Sequence, residues 1–134
     1  MPGKQEHPSK PMEEVIRADG RYPPAAYGFL YEGLARAVKH ARDEGSDKPP
    51  QRHVSGSQLC LALRDAAIER WGQLARTVLA KWNIHSTADF GNMVFVLVEA
   101  HFMWATEEDH IEDFEDVYDF AEAFGTEGEF ELSE

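Results

Sequence analysis

Apolar residues recur at helical spacing through most of this chain. Tyr27, Leu30, Tyr31, Leu34, Val38 and Ala41 fall three and four apart, which puts them on one face of a helix. Glu32, Arg36, Lys39 and Arg42 fall on the other side, toward water. Pro24 can open this helix and Gly45 ends it. A shorter helix is expected before it. It starts near Ser9 and Pro11, carries Glu13 and Glu14 at the positive end of its dipole, and stops at Gly20 ahead of Pro23-Pro24.

After a turn-rich linker over residues 45–52, Ser55 and Gln58 form a capping box, with Val54 and Leu59 placed as a hydrophobic staple. Leu59, Leu63, Ala67 and Trp71 then make one stripe, with Cys60 and Ile68 beside it, and Gly72 interrupts. Leu74, Ala75, Val78, Leu79 and Trp82 predict a further amphipathic helix with Asn83 as a left-handed terminator. Ser86 and Asp89 repeat the cap-like spacing. The helix they begin runs from Phe90 through Met93–Val98 to Phe102 and is apolar on nearly every face. Its Val94–Val98 stretch also has strand propensity, but the cap and the length favour helix.

From residue 106 the pattern changes to acids alternating with aromatics. Phe114, Tyr118 and Phe120 can anchor an extended segment or β-hairpin against the core, and a short acidic helix competes with that reading. The chain is thus expected to be mainly α: one helical domain of about five helices over residues 11–124, with an acidic irregular or hairpin C-terminal segment. Residues 1–10 are expected to be a disordered tail and 125–134 a weakly ordered acidic one.

Charge changes this picture more than composition does. The 134 residues carry a formal charge of -12, from 13 Lys+Arg and 25 Asp+Glu. All 13 basic residues lie within residues 1–81, beside 10 acids, whereas residues 82–134 hold 15 acids and no Lys or Arg. The length admits one core and excludes two large domains. The single Cys60 excludes a disulfide scaffold. The longest apolar run is far short of the about 20 residues a membrane helix needs, and no signal peptide is visible. A cytoplasmic location is expected.

The run over residues 53–100, followed by the acid-rich run over 106–124, resembles a small family of uncharacterised bacterial proteins found in planctomycetes and verrucomicrobia. The matching residues are His53-Val54-Ser55-Gly56, Trp82-Asn83-Ile84, Ser86 to Gly91, Val98-Glu99-Ala100 and the acidic-aromatic tail. The chain departs from the family at Asn83, where Gly is usual, and at His101-Phe102-Met103. The resemblance implies no activity, cofactor or ligand. The second half also resembles the end of a winged-helix domain in its order of elements, which is a likeness of shape and not of function.

A winged helix suggests DNA, but its recognition helix would hold no Lys or Arg and its wing would be acidic, so no direct nucleic-acid contact is expected. Arg36, Lys39, Arg42, Lys48 and Arg52 read as a solvated face and loop. Six histidines among many carboxylates raise the question of metal, with His101, Glu107, Glu108, Asp109 and His110 the densest group. No ligand spacing of a zinc, di-iron or EF-hand site occurs there. Cys60 sits in an apolar stripe, where a thiol is inert, and Ser55-Gly56-Ser57 is a helix cap rather than a nucleophile elbow. No catalytic residue, metal or cofactor is therefore assigned.

What remains is an interaction surface. The helix ending near Phe102 and Trp104 is apolar all round, and either the tail's own aromatics or a partner covers it. The expected role is a non-enzymatic module that binds a basic protein partner, with a homo-oligomer also open and no membrane contact. The candidate contact residues are Phe102, Trp104, Glu107, Glu108, Asp109, Glu112, Asp113, Phe114, Asp116 and Tyr118. The alternatives are a metal-dependent enzyme or metal-binding module over His101–His110, and a transcription accessory that mimics nucleic-acid charge.

Overall fold

In the computed structural model, residues 10–43, 54–103 and 109–125 are described. Among the described residues, six α-helices follow one another: α1 (Met12–Asp19), α2 (Pro24–Asp43), α3 (Gly56–Trp71), α4 (Ala75–Lys81), α5 (Thr87–Glu99) and α6 (Phe120–Phe124). Short 3-10 turns occupy Gly72–Leu74 and Ile111–Phe114. The mainly helical class read from the pattern is the one observed. No strand occurs among the described residues, so the hairpin and the wing of a winged helix are absent from them, and over residues 109–125 the chain is irregular apart from the Ile111–Phe114 turn and the short helix α6.

The helix ends follow local chemistry. Gly20 closes α1 at φ 77, and its N–H donates to Ile16 O. Ser55 Oγ accepts from Gln58 N at 3.1 Å while Gln58 Oε1 accepts from Ser55 N at 2.8 Å, which is the expected capping box. Asn83 adopts φ 68 after α4, with Asn83 N donating to Ala80 O and Ile84 N to Leu79 O. This is a Schellman motif, and Ile84 and Leu79 supply its buried apolar contact. The Asn83 amide adds a bond to Arg21 O at 3.2 Å and so ties this turn to the one between α1 and α2.

One boundary differs from the sequence reading. The last apolar helix stops at Glu99 and not near Met103. His101 turns left-handed at φ 69, its N–H donates to Val98 O, and Phe102 N donates to Leu97 O at 2.8 Å. A second Schellman motif thus forms around a histidine, and the chain leaves the helix with Phe102 packed back on the core.

The core gathers one face of every helix. Tyr27, Leu30, Leu63, Leu79, Ile84, Phe90, Met93 and Leu97 are all fully buried. Helices α2 and α3 make the most extensive contact. They approach closely because Gly33 faces Leu63: a Cβ at Gly33 would come within 2.7 Å of Leu63 Cγ. Arg36 forks onto Glu69 at 2.7 and 2.9 Å, and Arg70 meets Glu32 at 2.7 Å, across the same helix pair. Phe29, Trp71 and Trp82 form an aromatic cluster where α2, α3 and α4 meet, with ring centroids 5.1 to 5.9 Å apart.

Candidate interaction surface

The acidic C-terminal segment is held on the helical body by uncharged contacts. Its 3-10 turn lays Phe114 into a slot between the N-terminus of α3 and the middle of α5. Two glycines make that slot. A Cβ at Gly91 would lie 2.8 Å from Phe114 Cβ and Cγ, and one at Gly56 would lie 3.0 Å from Phe114 Cε1. Phe95 meets the Phe114 ring edge-on at 6.4 Å. Phe114 is 5% exposed as a result.

Thr87 fastens the backbone beside this plug. Its fully buried hydroxyl donates to Phe114 O at 2.5 Å and accepts from Val117 N at 3.2 Å. Asp116, at φ 52, turns the chain between those two contacts. Tyr118 follows. Its hydroxyl donates to Cys60 O at 2.8 Å, its ring stacks on Phe120 at 5.9 Å, and Arg64 lies 5.9 Å from its centroid. Phe120 and Phe124 complete an aromatic cluster that reaches Phe90. Arg76 holds the end of the segment through Gly125 O at 3.3 Å.

Burial tunes the titrating groups where the segment meets α3. It pushes the Tyr118 phenol far above its ordinary value, with the neighbouring Cys60 adding to the rise. It pushes the Cys60 thiol up to about 12. A thiol held protonated in this way is a packing residue, in line with its place in the apolar stripe of α3.

The candidate contact residues therefore separate. Glu112, Asp113 and Asp116 are exposed, joined by Glu115, Asp119 and Glu122, and Asp109 is half-buried. No ion pair links any of these six exposed acids to a Lys or Arg among the described residues. Phe114 and Tyr118 do not face outward with them. The two-glycine slot and the Cys60 carbonyl draw both aromatics inward. Phe102 is half-buried against the core because the turn at His101 folds it back. Trp104, Glu107 and Glu108 lie outside the described residues.

The sequence pattern alone did not reveal Gly56, Gly91 and Thr87, which build the seat. The one signal is Gly91, a glycine inside the apolar helix α5, and it gains meaning only beside Phe114. A shallow open cavity of about 190 Å³ lies next to the seat, lined by His85, Ser86, Thr87, Asp116, Tyr118, Asp119 and Phe120.

No family model, curated protein or solved structure matches the chain. Among the described residues, no three His, Cys, Asp or Glu side chains gather as a metal site would require. His101 and His110 are exposed, and His101 serves as the left-handed end of α5. No described helix is long and apolar enough to cross a membrane.

Proposed function

We propose that this protein is a binding module whose acidic C-terminal segment engages a basic protein surface. The observation that carries this reading is the division of the segment into two faces. Its aromatics anchor it inward, while Glu112, Asp113, Glu115, Asp116, Asp119 and Glu122 stand exposed. Six like charges on a braced backbone attract a basic surface over about a Debye length of 8 to 10 Å. Because the backbone is held by Phe114, Thr87 and Tyr118, less ordering entropy is lost on binding than for a loose acidic tail. Affinity in this reading comes from charge complementarity, and the aromatics supply rigidity rather than contact.

The test is affinity capture from native lysate with two baits. One is the intact chain, and the other carries Glu112→Gln, Asp113→Asn, Glu115→Gln and Asp116→Asn. The expected result is a defined set of basic proteins retained by the intact bait at low salt, released at high salt, and missing from the neutralised bait. Equal recovery by both baits, or none by a folded intact bait, overturns the proposal.

A further inference from the structure

Helix α3 keeps an apolar stripe on the side away from the core. Leu61 is 39% exposed and Ile68 is 43% exposed, although both belong to a helix whose opposite face is fully buried. They lie seven residues apart, which is two turns and the same side of the helix. Arg64 and Asp65 stand between them, paired within the chain at 3.1 Å and both accessible. Ser57 and Gly72, the next residues on this side, are small and exposed.

This stripe is complementary to itself. A two-fold axis passing midway between Arg64 and Asp65 places Leu61 against Ile68 of a second copy, and Ile68 against its Leu61. The same operation places Arg64 against Asp65 and Asp65 against Arg64, so two apolar pairs flank two crossed ion pairs. Ser57 and Gly72 then oppose each other at the ends, where their size lets the helices approach. An isologous contact requires this kind of pattern. Helix α3 itself carries Arg64 and Arg70 against Asp65 and Glu69, so the seam is locally neutral although the net charge of the chain is -12.

We infer that the partner for this surface is a second copy of the chain, packed antiparallel through α3. The helix has 16 residues, and a seam of about 24 Å buries less than the about 1,600 Å² of a standard interface. The dimer is accordingly weak and reversible, with a Kd of roughly 0.1 mM. Its seam borders the acidic segment, since Arg64 also lies 5.9 Å from the Tyr118 ring centroid, and the assembly carries two copies of that segment.

Sedimentation equilibrium from about 10 μM to about 1 mM reads the association directly. The intact chain is expected to shift from monomer to dimer across that range. Ile68→Glu and Asp65→Arg, both at exposed positions, are expected to weaken dimerisation at least about tenfold with unchanged circular dichroism. Adding Arg64→Asp to Asp65→Arg exchanges the charges and restores association. Register is read by cysteines in a Cys60→Ala background. A mixture of the Leu61→Cys and Ile68→Cys chains forms a mixed disulfide. Leu61→Cys alone forms none, because its two copies lie about 10 Å apart along the seam, beyond the about 7 Å limit. A chain that stays monomeric at the highest concentration overturns the inference. So does a dimer that survives both Ile68→Glu and Asp65→Arg, or one that cross-links only through like positions.

Discussion

The Phe114 ring stands where a side chain at Gly91 would have to go. A Cβ added at Gly91 would meet Phe114 Cβ and Cγ at 2.8 Å. Alanine favours a helix interior over glycine by about 1 kcal/mol, but forcing the plug out of its slot costs about 1–3 kcal/mol. Gly91→Ala should therefore lower stability by about 1 kcal/mol net, and amide exchange should rise over residues 109–125. Phe114→Ala should lower it by about 3–5 kcal/mol. Gly28 is the control: nothing lies within 4 Å of a Cβ there, so Gly28→Ala should stabilise by about 0.5–1 kcal/mol. Urea unfolding of the three variants gives the signs.

Thr87 is the other fastener of the segment, and its hydroxyl both donates to Phe114 O and accepts from Val117 N. Thr87→Val keeps the shape and leaves a buried carbonyl and an amide without that partner, so a loss of about 2–3 kcal/mol is expected. Thr87→Ser keeps the hydroxyl and should recover most of it. The equilibrium difference between the valine and serine variants isolates the hydrogen bonds from the packing.

Phe114 was legible as an anchor, but its seat at Gly56 and Gly91 and the role of Thr87 were hidden in the sequence for a physical reason. The elements that were legible depend on neighbours along the chain: the Ser55–Gln58 box, the stop at Gly20, the left-handed Asn83 and the amphipathic faces of α2 to α4. Each is decided within about one turn. The seat of Phe114 depends on residues 23 and 58 positions away, which no local pattern encodes. The end of α5 shows a related limit. Phe102 and Met103 continue the apolar run past Glu99, and only the turn at His101 redirects Phe102 into the core. Glu112, Asp113 and Asp116 stand at the surface because charge alone keeps them in water. Their aromatic neighbours were ambiguous, since the same rings serve a core or a partner.

Asp89 does two jobs at the start of α5. One oxygen accepts from His85 N at 2.8 Å and Ser86 N at 3.2 Å, and the other accepts from the Tyr22 hydroxyl at 2.6 Å. Asn92 donates to the same tyrosine oxygen at 3.1 Å. Removing the carboxylate costs a cap, worth about 1 kcal/mol, and a charge-assisted bond, worth about 1.5–3 kcal/mol. Asp89→Ala should thus lower stability by about 2–4 kcal/mol. Tyr22→Phe should lower it by less, because the cap survives. Thermal unfolding of the two single variants and the double variant tests whether their effects are less than additive, as a shared bond requires.

Alkaline pH should unfold this protein cooperatively. All four tyrosines have phenols raised above the ordinary value near 10, each with burial as the largest cause. Tyr22 reaches about 12, with its bond to Asp89 adding to the effect of burial. The Cys60 thiol also rises to about 12. In the unfolded chain these groups ionise near their ordinary values, so the native state binds more protons above about pH 9. The stabilisation they supply is complete below that pH and is lost as pH climbs toward 12. Between about pH 6 and 8 they should contribute no slope. Phenolate absorbance should therefore show no phase at the ordinary tyrosine value and should instead appear together with the loss of helical circular dichroism. Cys60 should become open to alkylation in the same transition. A phenolate phase near pH 10 with the helices intact would mean that the tyrosines are wetter than their contacts indicate. Phe114→Ala should move the whole transition to lower pH, because the segment it releases is the one that carries Tyr118 into its buried site against Cys60 O.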